Sequence, residues 1–562
     1  MIKIENLTKI YKLQDNTRIK ALDQLSLTIE DNEIYGIMGV SGSGKSSLLR
    51  ILRGVEPFDE GKIIINDIEI TPENYNEKKQ ILKEKTAIHL QRSFGLWPTT
   101  PLDNIVKKLY GLKYGEESLT DTEEAYEEFE EDAKEILETV DLTDKIGHYA
   151  PVLSGGEKQR LVLARQLAKK PEILLLDEPA TMASPRYKKE LLDTIKKINN
   201  KFGTTIIIVS HQPEIQEYLC SKTALIYNGK LEMEDNTSSV VSKFLSYMPE
   251  KEKIGKKDRT QPLIKINNIA RDYYLYKGGH VLYLDHISDQ INKSDIFSIV
   301  GPSGSGKTML IRMIAGFEKS EEGNIEILNN NKWIEMNDYG SDRTEIRQNM
   351  GFMHQEFALT PNSTVLSQIT THLSPKTEKT LEKAKSKARE IGISNETLDI
   401  LYQLTDLARD EASHKLEKLN ISPEILNELF PDVTYEEVIE AIIPVFEALD
   451  LPLPLLNRKF KELSGGQKVR VAIAVVLASN PSILILDEPF GDLDPVTLRI
   501  VANSLKKIND KFNTTIIFIS HQMDFVKEIS TKTMLLDNGK HIKTGNPEEI
   551  CKEYIKIEEG EI

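Results

Sequence analysis

Two short runs hold the residues best suited to chemistry. Gly39-Val40-Ser41-Gly42-Ser43-Gly44-Lys45-Ser46 and Gly301-Pro302-Ser303-Gly304-Ser305-Gly306-Lys307-Thr308 both fit G-x-x-x-x-G-K-[ST]. Each follows an apolar run, Ile34 to Met38 or Ile296 to Val300, and each opens an apolar-periodic helix, with Ser47 next in the first copy. The residue types suit a polyphosphate. Glycines let backbone N–H groups wrap it without Cβ clashes. A helix N-terminus adds a field that favours anions. Lys45 and Lys307 can reach the β- and γ-phosphates, and Ser46 and Thr308 can ligate Mg²⁺. An ordinary Gly-rich turn does not explain why the element recurs at a shift of 262 residues.

The rest of the chain repeats with it. IKIENLTKIY at the start corresponds to IKINNIARDY, so Tyr11 matches Tyr273. Each copy has an isolated glutamine after an apolar strand, Gln91 in AIHLQ and Gln355 in GFMHQ. LSGGEKQR and LSGGQKVR follow, with Ser154-Gly155-Gly156 and Ser464-Gly465-Gly466. Twenty-three residues on from each serine are strand-end acids, Asp177-Glu178 in ILLLDEP and Asp487-Glu488 in ILILDEP. Thirty-four residues beyond each aspartate a histidine ends a β-branched strand, His211 and His521. Four ordered landmarks at matched spacing, twice, have no purely structural explanation.

These elements need a fold to hold them. At 562 residues the chain divides into two α/β domains, each long enough for its own core. The expected bounds are 1–247 and 263–562, joined by a polar, proline-bracketed linker at 248–262. Glutamine to serine spans 63 residues in copy one and 109 in copy two. The extra 46 fall within about 372–450 and read as helical. Ser422-Pro423 is an expected N-cap with proline at the first helical position, and Thr434 with Glu437 an expected capping box. This stretch is either an enlarged helical subdomain or a docking insertion for a partner.

Composition narrows the function. Hydrophobic residues are 39% and charged residues 28%, as in a globular protein. No run approaches the roughly 20 apolar residues of a membrane span, and the first residues carry no apolar signal core. Cys220 and Cys551 stand far apart, which excludes a disulfide scaffold and an iron–sulfur or zinc site made by this chain alone; a reducing cytoplasm is expected. A net charge of −16 disfavours nucleic acid as the main partner. Much of the acid lies at 116–135, above Tyr126, Phe129, Ala133, Ile136 and Val140 at helical spacing, and reads as a solvated helix face.

The ordered set of phosphate loop, glutamine, LSGGQ-type motif, Asp-Glu pair and histidine resembles the ABC ATPases over essentially the whole chain, twice. The resemblance implies two P-loop nucleotide-binding domains, each with a helical subdomain, paired head to tail around two ATP. It implies that Tyr11 and Tyr273 stack on adenine, and that Gln91 and Gln355 sense Mg²⁺ and γ-phosphate. Asp177 and Asp487 would hold the Mg²⁺ shell, Glu178 and Glu488 polarise the attacking water, and His211 and His521 contact the γ-phosphate. Ser154, Gly155 and Gly156 would cap ATP on Lys307, and Ser464, Gly465 and Gly466 would cap ATP on Lys45.

Finer resemblance lies in LRGVEP (52–57), AIHLQRSFGLW (87–97), GEKQRLVLARQLAKKP (156–171), NKWIEM (331–336), GFMHQEF (351–357) and SHQMDFV (520–526). These are similar to the soluble tandem ABC proteins of methanogenic archaea that support reductive activation of methyl-coenzyme M reductase. That implies the reductase and its redox activation proteins as partners, with no direct membrane insertion. Two alternatives stand beside it. One is the ATP-binding subunit of an importer, docked on a separate permease. The other is a translation or DNA-repair ABC protein, disfavoured by the short linker, the cysteine count and the acidic charge.

The copies depart from each other after the acids. Copy two reads GDLDP, with Asp494; copy one reads TMASP, with Ser184 at that place, where the family expects an aspartate. We therefore expect the sites on Lys45 and Lys307 to turn over unequally. Glu178→Gln and Glu488→Gln should lower steady-state ATP turnover by different factors, and equal losses would count against the asymmetry.

Overall fold

The strands before the two phosphate loops, Ile34–Met38 (IYGIM) and Ile296–Val300 (IFSIV), are buried nearly throughout, the pattern of a strand covered on both faces. The computed structural model describes residues 1–12, 18–90, 95–119, 122–180, 185–275, 279–354, 359–407, 409–418, 421–491 and 493–559. They form two compact α/β units, Met1–Met248 with Asp494–Val496, and Pro249–Leu493 with Thr497–Ile562.

In the first unit a six-stranded sheet runs in the order Lys230–Asn236, Lys222–Tyr227, Ile34–Met38, Thr205–Val209, Ile173–Asp177, Thr86–Leu90. The last five are parallel and the first pairs antiparallel. Successive residues face opposite layers. Tyr35, Ile37, Leu175 and Ile207 share one core with Leu48, Leu49 and Leu52 of the phosphate-loop helix Lys45–Leu52. Leu174, Leu176, Ile206 and Ile208 share the other with helices Pro101–Tyr114, Thr122–Thr139 and Gly155–Leu167. A separate antiparallel sheet orders Arg18–Ile29, Ile2–Lys12, Glu60–Ile65 and Ile68–Ile70.

The second unit repeats this plan in one ten-stranded sheet. There Gly279–Asn292 meets Lys540–Gly545 at Asp285 and Lys540, joining the antiparallel and parallel parts. Its parallel strands are Lys532–Asp537, Ile296–Val300, Thr515–Ile519, Ile483–Leu486 and Met350–Met353.

Three features differ in detail from the sequence reading. The linker residues belong with the second unit, along helix Pro495–Phe512. Asn503 donates to Glu250 O at 2.8 Å, Lys506 to Glu252 O at 2.9 Å, and Lys257 to Asn509 O at 2.6 Å. Of the lysines that made the stretch look solvated, Lys257 is hydrogen-bonded to a helix. The acidic run is helical over Thr122–Thr139, but Glu117 is no solvated face: it binds Arg165, Lys108 and the Trp97 indole at 2.6, 2.7 and 3.0 Å. Burial raises its carboxyl, and those donors outweigh it, holding it at about 2.

The stretch 372–450 is helical, in helices Glu378–Glu390, Asn395–Leu404, Arg409–Lys418, Glu424–Leu429 and Tyr435–Ala448. Thr434 and Glu437 form the expected capping box. Ser422 is not the N-cap of its helix. Pro423 takes that place in a right-handed helical conformation, and Ser422 Oγ accepts only a 3.4 Å bond from Glu424 N. The five helices divide between two cores. Tyr435–Ala448 packs with the helix Gly465–Leu477, as Thr122–Thr139 packs with Gly155–Leu167. Residues of the first four, including Leu381, Leu401, Leu416 and Leu429, instead join the core of the phosphate-loop helix Lys307–Ile314.

His89 sits in the strand Thr86–Leu90, 1% exposed, and burial lowers its ring to about 4, with only Gln159 opposing. A histidine depressed in the fold stabilises fully above its unfolded value and loses that contribution as pH falls toward the folded one. The first unit should therefore lose up to roughly 3 kcal/mol between about pH 6.5 and 4 from this ring. His89→Leu should flatten that acid limb in thermal melts at stepped pH.

Candidate functional site

Three neighbouring parallel strands end at one edge of each sheet, and their carboxyl ends deliver the charged groups together. In the first unit Ile34–Met38 leads into the phosphate loop, Thr205–Val209 into His211, and Ile173–Asp177 into Glu178. In the second, Ile296–Val300, Thr515–Ile519 and Ile483–Leu486 do the same for Lys307, His521 and Asp487-Glu488.

The loops are held by close backbone approach. Gly44, the N-cap of its helix, has φ +102°, and a Cβ there would lie 2.2 Å from Ala21 O. Gly301 admits Leu536 O to 2.0 Å of where its Cβ would be. Gly39, Gly42, Gly304 and Gly306 also take positive φ. Ser43 and Ser305 are buried within the loops, and Ser41 and Ser303 lie on their rims. Lys45 Nζ donates to Gly39 O at 2.8 Å and Val40 O at 2.9 Å; Lys307 Nζ donates to Gly301 O at 2.9 Å and Pro302 O at 2.8 Å. Burial lowers both ammonium groups, and the neighbouring Glu178 and Glu488 carboxylates oppose it. A buried cation facing carboxylates suits a site that compensates dense negative charge.

Each strand-end acid pair is split by its surroundings. Burial pushes Asp487 up to about 6, against a 3.2 Å bond from Thr308 Oγ1; Asp177 is raised likewise, with Ser46 opposing. Burial also raises the next residues, but their histidines outweigh it and leave Glu178 and Glu488 below the usual carboxylate range. Both glutamates have left-handed backbone, φ +51° and +48°, a strained choice for a side chain with Cβ. The pairs differ between units. Glu178 Oε1 accepts from His211 N at 3.0 Å and meets His211 Nδ1 at 2.7 Å, while Oε2 accepts from Ser210 Oγ at 3.2 Å. Glu488 meets His521 through the other ring nitrogen, Nε2, at 2.8 Å. His211 is nearly buried (8% exposed) and His521 is open (40%).

Ser154 and Ser464 cap the helices Gly155–Leu167 and Gly465–Leu477. Their hydroxyls accept from Glu157 N and Gln467 N, and the side chains of Glu157 and Gln467 answer to the serine N–H, at 2.8 and 3.1 Å. S-x-x-[EQ] was there to be read as a capping box. Tyr11 Oη lies 3.0 Å from Ser47 Oγ, which brings the ring against the phosphate-loop helix. The backbone of Tyr273 is in strand Pro262–Leu275, while its side chain, Gln91, Gln355 and Ser184 lie outside the described residues. Sequence reading missed Gln216. Fully buried, it donates to Ile37 O at 3.1 Å and Ser210 O at 3.0 Å, tying the phosphate-loop strand to the turn that holds Glu178. A lone glutamine on an apolar helix face gave only a weak signal, and Val526 stands at its place in the second copy.

The oxygens of Thr308 and Asp487, and of Ser46 and Asp177, are the hard donors that Mg²⁺ takes. Among the described residues no three His, Cys, Asp or Glu side chains form a metal cage.

The family model described as "ABC transporter" matches residues 22–181 and 284–491, more than half of the chain. The chain is an ABC ATPase. An ABC transporter ATP-binding protein of Methanocaldococcus jannaschii is 45% identical over 99% of this chain and 97% of its own length. A second from the same organism is 31% identical over 100% and 98%. A methionine import ATP-binding protein of Clostridioides difficile is 36% identical, over 41% of this chain and 67% of its own. Among solved structures, an archaeal ribosome recycling factor, in complex with a ribosomal stalk protein, aligns over 98% of this chain and 92% of its own at TM-score 0.56 and 20% identity. That likeness is one of tandem fold alone. This ABC ATPase has two tandem nucleotide-binding domains and hydrolyses ATP. Among its described residues no helix is long and apolar enough to cross a membrane.

Gly44→Ala should force the first loop off Ala21 O. We expect ATP affinity at that site to fall roughly 100-fold, ~3 kcal/mol, while the second site binds as before; titration calorimetry resolves the two.

Proposed function

We propose that this ABC ATPase binds one ATP on each phosphate loop and spends the cycle on conformational work in a partner complex, the reductive activation of methyl-coenzyme M reductase. The observation that carries the ATPase half is the matched constellation at both sheet edges: buried lysine, hydroxyl-bonded aspartate, and glutamate paired to histidine. Glu178 and Glu488, ionised and aimed by His211 and His521, would orient the attacking water. Asp177 and Asp487, with Ser46 and Thr308, would hold Mg²⁺, which supplies charge neutralisation on the phosphates. Gln91 and Gln355 would report γ-phosphate, and Tyr11 and Tyr273 would stack on adenine. Ser154-Gly155-Gly156 and Ser464-Gly465-Gly466, small residues at helix N-termini, would each close the nucleotide bound by the other domain.

The partner half rests on the sequence runs similar to the activation proteins of methanogens. The buried free thiols of Cys220 and Cys551 accord with a cytoplasmic setting. Affinity capture from the native host, with and without ATP, tests it. Recovery of reductase subunits in a nucleotide-dependent manner is expected; recovery of an integral membrane permease would overturn the reading in favour of an importer.

A further inference from the structure

We propose that the extra helices of the second unit belong to its nucleotide site at one remove, with Asp406 and Glu411 as positioning residues. They hold the far end of the phosphate-loop helix and the strand that precedes Gln355. This rests on the reading of Lys307 as a nucleotide site.

A helix C-terminus leaves carbonyls unpaired and carries partial negative charge. At the end of Lys307–Ile314 those carbonyls are taken by side chains from outside the helix. Ala315 O accepts from Arg347 Nη1, Gly316 O from Arg343 Nη2, and Phe317 O from Gln403 Nε2 at 3.2 Å. Within the helix, Arg312 Nη2 donates to Glu411 Oε1 at 2.7 Å. Gln403 and Glu411 lie on helices Asn395–Leu404 and Arg409–Lys418.

Asp406, between those helices, is the hub. Its Oδ2 accepts from Arg347 Nη2 at 2.8 Å and Lys376 Nζ at 3.0 Å, and its backbone O bonds His354 Nε2 at 2.8 Å. Lys376 Nζ also donates to Arg347 O at 2.8 Å and Met350 O at 3.2 Å. Met350 begins, and His354 follows, the strand Met350–Met353 that leads to Gln355. One residue thus ties both ends of that strand to the base of the phosphate-loop helix, its carboxylate through Lys376 and Arg347 and its backbone carbonyl through His354. The groups are deeply buried, Lys376 wholly and Arg347 at 1%. Buried ion pairs can often be replaced by apolar residues without loss of stability, and we read this charged hub as fixing one arrangement. The first unit is built otherwise: at the matching place Arg53 Nη1 donates to Lys83 O at 3.0 Å, on helix Tyr75–Lys85.

The test uses the full chain with Glu178→Gln, so that turnover reports the Lys307 site. Asp406→Asn should lower kcat about tenfold with KM within about twofold, and Asp406→Glu should recover most of it. Glu411→Gln, at a half-exposed pair that folding tolerates, should lower kcat about threefold with an unchanged melting temperature. In the reciprocal Glu488→Gln chain all three should leave turnover unaltered. Losses that appear equally in both chains, unaltered kcat for Glu411→Gln, or Asp406→Glu as impaired as Asp406→Asn would each overturn the proposal. Residual turnover of the Glu178→Gln chain that survives Lys307→Ala would instead overturn the reading of the site itself.

Discussion

A lysine ammonium held out of water at the carboxyl ends of parallel strands is the constraint on which each unit depends. Its burial costs several kcal/mol unless negative charge stands near. The fold supplies that charge from the next strand but one, as Asp177-Glu178 or Asp487-Glu488, and supplies loop carbonyls to take the ammonium protons. The same carboxylates then need partners. The histidine from the strand between takes the glutamate, and the helix hydroxyl takes the aspartate. Three strands in fixed order therefore suffice to balance the site, and everything outside them either covers the sheet or adjusts the balance.

That economy explains what the sequence shows and what it hides. The strands were legible because unbroken aliphatic runs have few other uses, and the loops because glycine at fixed offsets is a backbone requirement. The capping box at Thr434 was legible because its partners are three residues apart. Ser422 misled because proline after serine signals a helix start without fixing which residue is the cap; here Pro423 itself adopts the cap position. Periodicity said that 372–450 was helical but not which core each helix joins, since an apolar stripe names no partner. Gln216 and Lys257 were illegible for a related reason: their hydrogen bonds run to residues far away in sequence. Glu117 shows that a run of like charges can hide one member that is structurally bound.

The two units obey one plan and settle it differently. Glu178 is gripped by two donors of His211 and by Ser210, in a near-buried pocket tied down by Gln216. Glu488 holds its more exposed histidine through Nε2, and its turn lacks the glutamine strut because Val526 stands there. The second unit compensates at the other end of its phosphate-loop helix, where Arg343, Arg347 and Gln403 engage the terminal carbonyls. Rigidity has thus been placed at the acid in one unit and at the base of the phosphate loop in the other.

Where rigidity sits decides what can be sensed. A site fixed at its acid responds to the nucleotide that the acid faces. A site fixed through Asp406 and Glu411 responds also to whatever displaces the helices that carry them, since buried charge networks have discrete arrangements rather than a continuum. The coupling must run both ways: if the helices bias the loop, phosphate on the loop biases the helices by the same free energy. An ATPase that performs work on a partner needs that reciprocity at one site at least. In this chain the buried charges that could carry it connect residues 376–411 to the site on Lys307.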